Sequence, residues 1–451
     1  MSKPTRWMLG SIFLAGVVYL LMPPEAGEAA RRMAFVFVLA AILWAFEIIP
    51  LYVTSVLVVV LQTFLLAQPG GVLGMTEGGY KVFFMSFGDP VIFLFLGGFV
   101  LAAVLQKYEI DKMIAVRLLN VFGHKPYFIM LGFMLVTAFF ALWMSGTATT
   151  AMMLAMVMPF LKQIHEQDPF RTALILAIPF SASIGGIGTP IGTPPNAIAI
   201  GVLAEHGVYV DFITWVKMAL PLAVVLVVIA SWVLYWMFPA KAKHLTFAVK
   251  LERVFDHHAR AAGVIALFTI IMWLTSSLHK IPAALVALFS ICAFLLRRLL
   301  HKEDLKKIDW DILILMWGGL ALGDGLEMSG LAQWLVGLPL FEQQGFMLVV
   351  VFCILTAVLT TFMSNTATAN LVLPLVMVIP GESKILLATT VALSCSLSTA
   401  LPISTPPNAI VFATQMIRSQ DMLKAGLVIS VISIALMLLA LKWIAQSFGL
   451  V

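Results

Sequence analysis

Gly185-Gly186-Ile187-Gly188-Thr189-Pro190-Ile191-Gly192-Thr193-Pro194-Pro195-Asn196 lies inside an apolar region long enough to cross a bilayer. Four glycines and three prolines in these twelve residues cannot continue a helix. Backbone carbonyls and amides are therefore freed. Lipid cannot satisfy them, so a break at this depth must be buried in protein or line a wet cavity. The pattern occurs twice. Leu397-Ser398-Thr399-Ala400-Leu401-Pro402-Ile403-Ser404-Thr405-Pro406-Pro407-Asn408 carries the same Thr-Pro-Pro-Asn-Ala-Ile ending.

Composition agrees with a membrane setting. Of 451 residues, 62% are hydrophobic and 11% charged, against roughly 25% charged in soluble domains. This is an all-α polytopic membrane protein. The formal charge of +5 does not indicate nucleic acid, because Lys and Arg in such chains mark loops on the cytoplasmic side. Cys292, Cys353 and Cys395 lie in apolar runs and read as buried small hydrophobes. The stretch Trp7–Met22 has no small-residue cleavage site and reads as a retained first span.

Apolar runs predict spans at 7–22, 33–48, 50–67, 88–106, 170–205, 213–238, 261–279, 281–299, 311–337, 384–416 and 425–447. Two regions differ. Residues 126–162 surround Ser145-Gly146-Thr147-Ala148-Thr149, and residues 345–380 surround Ser364-Asn365-Thr366-Ala367-Thr368. Each reads as a re-entrant hairpin with a polar tip. The halves repeat, since Gly97-Gly98 answers Gly318-Gly319, the tips answer each other, and the Thr-Pro-Pro-Asn motifs do too. The offsets are 318 − 97 = 221, 364 − 145 = 219 and 405 − 193 = 212. The divisions are 1–32, a first repeat at 33–238, an amphipathic connector at 239–260 and a second repeat at 261–451.

Charge sets the orientation. With the N-terminus inside, the loops holding Lys107, Lys112, Arg117 and Lys125, then Lys241 to Arg260, then Arg297 to Lys307 all fall inside. Glu205, Asp211, Asp324, Glu327 and Glu342 fall outside. Arg31 and Arg32 disagree, accompanied by Glu25 and Glu28. The pattern holds only if both hairpins re-enter without crossing. Each repeat then has five crossings and the second is inverted, giving about eleven transmembrane helices in all.

Thr193-Pro194-Pro195-Asn196 and Thr405-Pro406-Pro407-Asn408 read as helix starts, a capping Thr before Pro at the first helical position. The hairpin tips read the same way. Four helix N-termini would then meet near the midplane, each with free amides and roughly half a positive charge. That is an anion site built without a basic residue. Freed carbonyls with Ser, Thr and Asn oxygens suit sodium. A single Ser/Thr/Gly cluster ordinarily serves helix packing. Two symmetric clusters, each followed by a symmetric break, favour a binding role. Asp324 and Glu327 are weaker candidates for a proton relay, and His257 and His258 read as solvated surface.

At these tips and paired motifs the chain resembles the divalent anion:sodium symporters, carriers of dicarboxylates, citrate and sulfate. The resemblance implies a homodimer in the lipid bilayer, with a scaffold and an elevator-like transport unit. It places a second sodium at Thr360, Met363, Asn365 and Ala400. A first sodium falls at Ser145, Gly146 and Gly188, degenerate because Gly146 stands where the family has Asn and Ala141 where it has Ser. Leu401 stands where the first repeat has Thr189. Implied anion contacts are Ser145, Thr147, Ser364, Asn365, Thr366 and Pro402. The expected function is sodium-coupled symport of a divalent anion, a C4-dicarboxylate such as succinate, malate or fumarate, in the inner membrane. An anion exchanger with weak sodium dependence and an anion channel are the alternatives. No His-Glu-x-x-His and no acidic pair in the breaks suggests an enzyme. On this reading Asn365→Ala abolishes transport and Gly146→Asn raises apparent sodium affinity, both measurable by uptake.

Overall fold

The computed structural model describes residues 3–242, 245, 256–341, 345–379, 383–402 and 404–447. No strand occurs among them. The chain opens with α1 (Lys3–Leu21), α2 (Glu28–Ala45) and α3 (Leu51–Leu65), the last starting directly after Pro50. α4 (Lys81–Met85) leads into α5 (Pro90–Lys107), where Asp89 accepts the Val91 amide at 2.7 Å. α6 (Ile110–Leu119) precedes the first hairpin, α7 (Pro126–Ala141) and α8 (Gly146–Leu161). The first broken span follows as α9 (Phe170–Gly186) and α10 (Pro194–Glu205), then α11 (Phe212–Met237).

The second half repeats that order. α12 (His257–Leu274), α13 (Ser276–His279), α14 (Ala283–Leu296) and α15 (Lys302–Leu305) lead to α16 (Trp310–Met328) and α17 (Leu331–Val336). α18 (Phe346–Phe362) and α19 (Asn365–Met377) form the second hairpin. α20 (Lys384–Leu397) and α21 (Pro406–Ala413) form the second broken span, and α22 (Ser419–Ser447) closes the chain. Hairpin, broken span and long helix thus recur in the same order in both halves.

Four stretches are long and apolar enough to cross a membrane, at Lys81–Lys107, Phe212–Met237, His257–Leu274 and Ser419–Leu441. Eight shorter apolar helices accompany them. Large apolar side chains are exposed along α11 (Val224, Val228, Trp232) and α12 (Val264, Leu267, Ile271). Such continuous apolar surface belongs in hydrocarbon, not water. The broken spans are the opposite: α9 and α20 are buried almost throughout. Breaks are therefore enclosed by protein, as their unpaired backbone requires. The repeated glycine pair is explained by close approach. A Cβ at Gly318 would strike Ser55 of α3, and one at Gly319 would strike Asn370 of α19.

Some expectations change. The span expected at 311–337 ends at Met328, because Gly330 turns the chain at φ +77° before α17. Most of the expected connector at 239–260 lies outside the described residues, and 257–260 already belong to α12. Cys353 and Cys395 are buried, but Cys292 is exposed on α14. Arg31 and Arg32, which broke the charge rule, both pair with Glu28, at 3.4 and 2.8 Å, so their charge is partly offset. His257 and His258 are exposed, as expected.

Loops assigned to one side touch each other. Lys107 Nζ donates to Asp304 Oδ2 at 2.6 Å and to the Leu299 carbonyl at 3.1 Å. On the opposite side, His206 meets Glu327 at 3.0 Å and Ser86 donates to Asp324 at 2.7 Å. The Asp304 carboxyl sits below its ordinary range: burial pushes it up, but hydrogen bonds from Lys107 and the His301 amide outweigh that. A depressed folded pKa gives stability that is present above the unfolded value and lost as pH falls through the folded one. Thermal stability in detergent should therefore fall below about pH 3.8, and Asp304→Asn should flatten that acid limb. An unaltered limb would show that the clamp contributes nothing.

Candidate functional site

Each hairpin tip is a helix start. Ser145 accepts the Ala148 amide at 3.3 Å, and Ser364 accepts the Ala367 amide at 3.2 Å. The broken spans restart at Pro194 and Pro406, each preceded by a Thr in extended conformation. Thr405 caps the Asn408 amide at 3.3 Å, whereas Thr193 makes no such bond. Missing amides of proline at the first helical position cost nothing, since they would be orphans anyway.

All four starts border one cavity of about 800 Å³. Ser145, Gly146 and Thr147 line it from one half, and Ser364, Asn365 and Thr366 from the other. Thr193 and Pro194 also line it, as do Thr405, Pro406 and Pro407. No arginine is among the described lining residues, and the cavity reaches the ends of α5, α15 and α16 at Lys107, Asp304, Lys307, Asp309 and Asp311. Helix N-termini bordering one cavity add a positive potential there to that of its two lysines, Lys107 and Lys307.

Freed carbonyls at the breaks are held by the asparagine that ends each helix-start motif. Asn196 Nδ2 donates to the carbonyls of Gly186 (3.0 Å), Ile187 (3.3 Å) and Thr189 (2.8 Å). Asn408 Nδ2 repeats the device on Thr399 and Leu401, both at 2.9 Å. Both amide oxygens are buried without a partner. Trp215 adds a donor to the Ile187 carbonyl at 3.0 Å, and Ser430 accepts the Thr399 amide at 3.0 Å. Carbonyls of residues 186, 187, 189, 399 and 401 thus each accept a side-chain amide. Asn196 does not take up the Gly188 carbonyl.

Breaks and tips are also stitched together. Thr189 donates to the Leu142 carbonyl at the first tip. Leu401 cannot do this in the second half. Ser404 substitutes, accepting the Leu401 amide at 3.1 Å and donating to the Thr361 carbonyl at 3.4 Å.

Thr360 donates to Asn365 Oδ1 at 2.8 Å and to the Cys395 carbonyl at 3.2 Å, bringing the two expected side-chain ligands of the second cation together. Met363 and Ala400 are buried nearby in sequence terms but do not line the cavity, and neither do Gly188 and Pro402. The cavity therefore gathers five of the six expected anion contacts and leaves out Pro402. Gly146 has a packing reason. A Cβ there would lie 3.1 Å from Pro407 Cγ. Asparagine at 146 must displace the proline pair by a few tenths of an ångström, so Gly146→Asn is not the simple gain of a ligand that sequence alone expects.

A polytopic helical bundle with paired re-entrant hairpins and paired broken spans around one central cavity defines a secondary-transporter architecture. Residues 3–451 match the profile of the sodium:sulfate symporter transmembrane region. The chain belongs to this family, the divalent anion:sodium symporters; it is a multi-pass membrane transporter, not an enzyme. It is 30% identical to the sodium-dependent dicarboxylate transporter SdcS of Staphylococcus saprophyticus, over 97% of this chain and 90% of that protein. It is 31% identical to an uncharacterized transporter of Haemophilus influenzae, over 94% of this chain and 95% of that one. The crystal structure of the YdaH transporter of Alcanivorax borkumensis, titled as having an unusual topology, is similar in fold. Its TM-score is 0.56 at 16% identity, over 88% of this chain and 98% of that one.

Removing a donor that holds buried carbonyls leaves them unsatisfied, at about 1–3 kcal/mol each. Asn196→Ala and Asn408→Ala should each lower thermal stability in detergent, because each removes the side-chain donor to buried carbonyls of its break. Melting temperatures equal to wild type would remove these residues from the account of the breaks.

Proposed function

We propose that the protein is a sodium-coupled symporter of a divalent anion, with a C4-dicarboxylate such as succinate, malate or fumarate as substrate. The carrying observation is that two hairpin tips and the starts of two broken spans, from different halves of the chain, border a single cavity. The anion would lie between Ser145 and Thr147 on one side and Ser364, Asn365 and Thr366 on the other. Sodium would supply the compensating charge at the tips, since helix N-termini carry only partial charges and the lining lysines, Lys107 and Lys307, stand beside Asp304, Asp309 and Asp311. The name of the Staphylococcus relative supports a dicarboxylate over sulfate.

The second sodium would sit against Thr360 and Asn365, with the Met363 and Ala400 carbonyls. Thr360 has a second acceptor in the Cys395 carbonyl. Turning its proton there leaves its own oxygen and Asn365 Oδ1 both directed at a cation. The first sodium would use Ser145 and the Gly188 carbonyl. Gly146 offers no side-chain oxygen there, which favours one specific second reading: an exchanger with weak sodium dependence.

We place the protein in the inner membrane as a homodimer, its N-terminus cytoplasmic. The repeat divisions at 33–238 and 261–451 supply the two inverted halves. The hairpins and the spans after them would move as an elevator past the scaffold. Uptake of labelled succinate into proteoliposomes should require an inward sodium gradient and should disappear in Asn365→Ala. Sodium-independent uptake that still shows counterflow would establish the exchanger instead. Absence of succinate uptake under every gradient would refute the assigned substrate.

A further inference from the structure

α10 runs from the central cavity to the far face of the molecule. Thr193 and Pro194 at its start line the cavity, and His206 follows its last residue, Glu205. There the imidazole meets two oxygens. Its Nε2 lies 3.0 Å from Glu327 Oε2 of α16, and its Nδ1 lies 2.8 Å from the Val202 carbonyl oxygen. With Glu327 ionised, both partners are acceptors only. A neutral imidazole has one N–H, so one of the two contacts would set a lone pair against an oxygen. An imidazolium donates at both nitrogens and satisfies both. The helix C-terminus beside it also favours a positive ring.

The surroundings of the ring are acidic. Glu205 precedes it in the chain. Asp324 of α16 accepts from Ser86 at 2.7 Å and lies within the field of His206. Asp89, just before α5, packs against α10, where a Cβ on Gly201 would lie 3.7 Å from its Oδ1. Lys107 of α5 and Asp311 of α16 stand at the opposite ends of their helices, on the cavity. Of the other helices packed on α10, α19 has no charged residue and α20 has only Lys384. A protonated ring thus enters a corner of carboxylates, and a neutral ring leaves Glu327 unpaired among them.

This contact crosses a boundary. α10 belongs to the span after the first hairpin, which the proposed function sets in motion, whereas α16 belongs to neither a hairpin nor a broken span. The cavity extends to Lys107, Asp304 and Lys307 on the face assigned to the cytoplasm, and His206 and Glu327 meet on the opposite face. We propose that His206 is a proton-operated latch, which as an imidazolium clips α10 to Glu327 of α16 and holds the carrier open to the cytoplasm. The inference rests on the elevator reading and adds a regulation to it. Histidine ordinarily titrates between about pH 5 and 8. Acid on the outer face therefore closes the latch, and the latch opens as pH rises through that range. Sliding of α10 past α16 breaks the contact, so a closed latch delays return of the empty carrier to the outside.

Double electron–electron resonance on the full chain tests this. Spin labels go on Tyr209→Cys, after α10, and Leu296→Cys, at the end of α14, both exposed positions. Cys292→Ser removes the exposed native thiol, and Cys353 and Cys395 are buried. The carrier is kept empty in choline buffer, so sodium and succinate add no pH dependence of their own. Two label separations are expected. The latched one should lose about threefold in relative population between about pH 5.5 and 8, the scale of an ion pair whose carboxylate is 53% exposed. His206→Gln and Glu327→Gln should each abolish that response, and the double variant should behave as either one alone. Persistence of both separations shows that a variant is folded. A response unchanged in His206→Gln and Glu327→Gln, or a wild-type ratio that ignores pH, would overturn the proposal. One separation under every condition, with and without sodium and succinate, would instead sink the elevator reading and the latch with it.

Discussion

Backbone amides and carbonyls cannot be left bare inside a bilayer, and this constraint organises the whole molecule. Breaking two helices at mid-depth creates the helix N-termini that suit an anion, but it also strands carbonyls. The protein answers with one asparagine per break. Asn196 and Asn408 each stand at the end of a Thr-Pro-Pro-Asn motif and reach back to the carbonyls preceding it. The motif is therefore a complete device: a cap position, two residues without amides to satisfy, and a donor pair for what the break exposes. Enclosure by α9 and α20, buried almost throughout, keeps lipid away.

The two halves use the same device but are not copies. Thr189 ties the first break to its hairpin, while Ser404 does so in the second, where Leu401 has no hydroxyl. Asn365 presents an amide at its tip, while Gly146 lets Pro407 approach closely. Asp89 caps its helix, whereas Asp309 at the start of α16 does not. These differences concentrate on the first tip.

The breaks, the hairpins and the repeat were legible because glycine, proline and polar tips punctuate long apolar runs. Ser145 and Ser364 as helix starts follow from capping chemistry alone, and both cap. The span expected at 311–337 was read too long, since a composition window passes over the turn at Gly330. The role of Asn196 was hidden because its partners are backbone carbonyls seven to ten residues earlier, and carbonyls carry no sequence signal. Pro402, implied by resemblance as an anion contact, is not among the residues that border the cavity.

The most direct test of the central claim is a cryo-electron density map of the protein in sodium and succinate. The account predicts anion density between the Ser145 and Ser364 tips, flanked by the Thr193-Pro194 and Thr405-Pro406 turns. Anion density outside that cavity, or tips separated by an intervening helix, would contradict it.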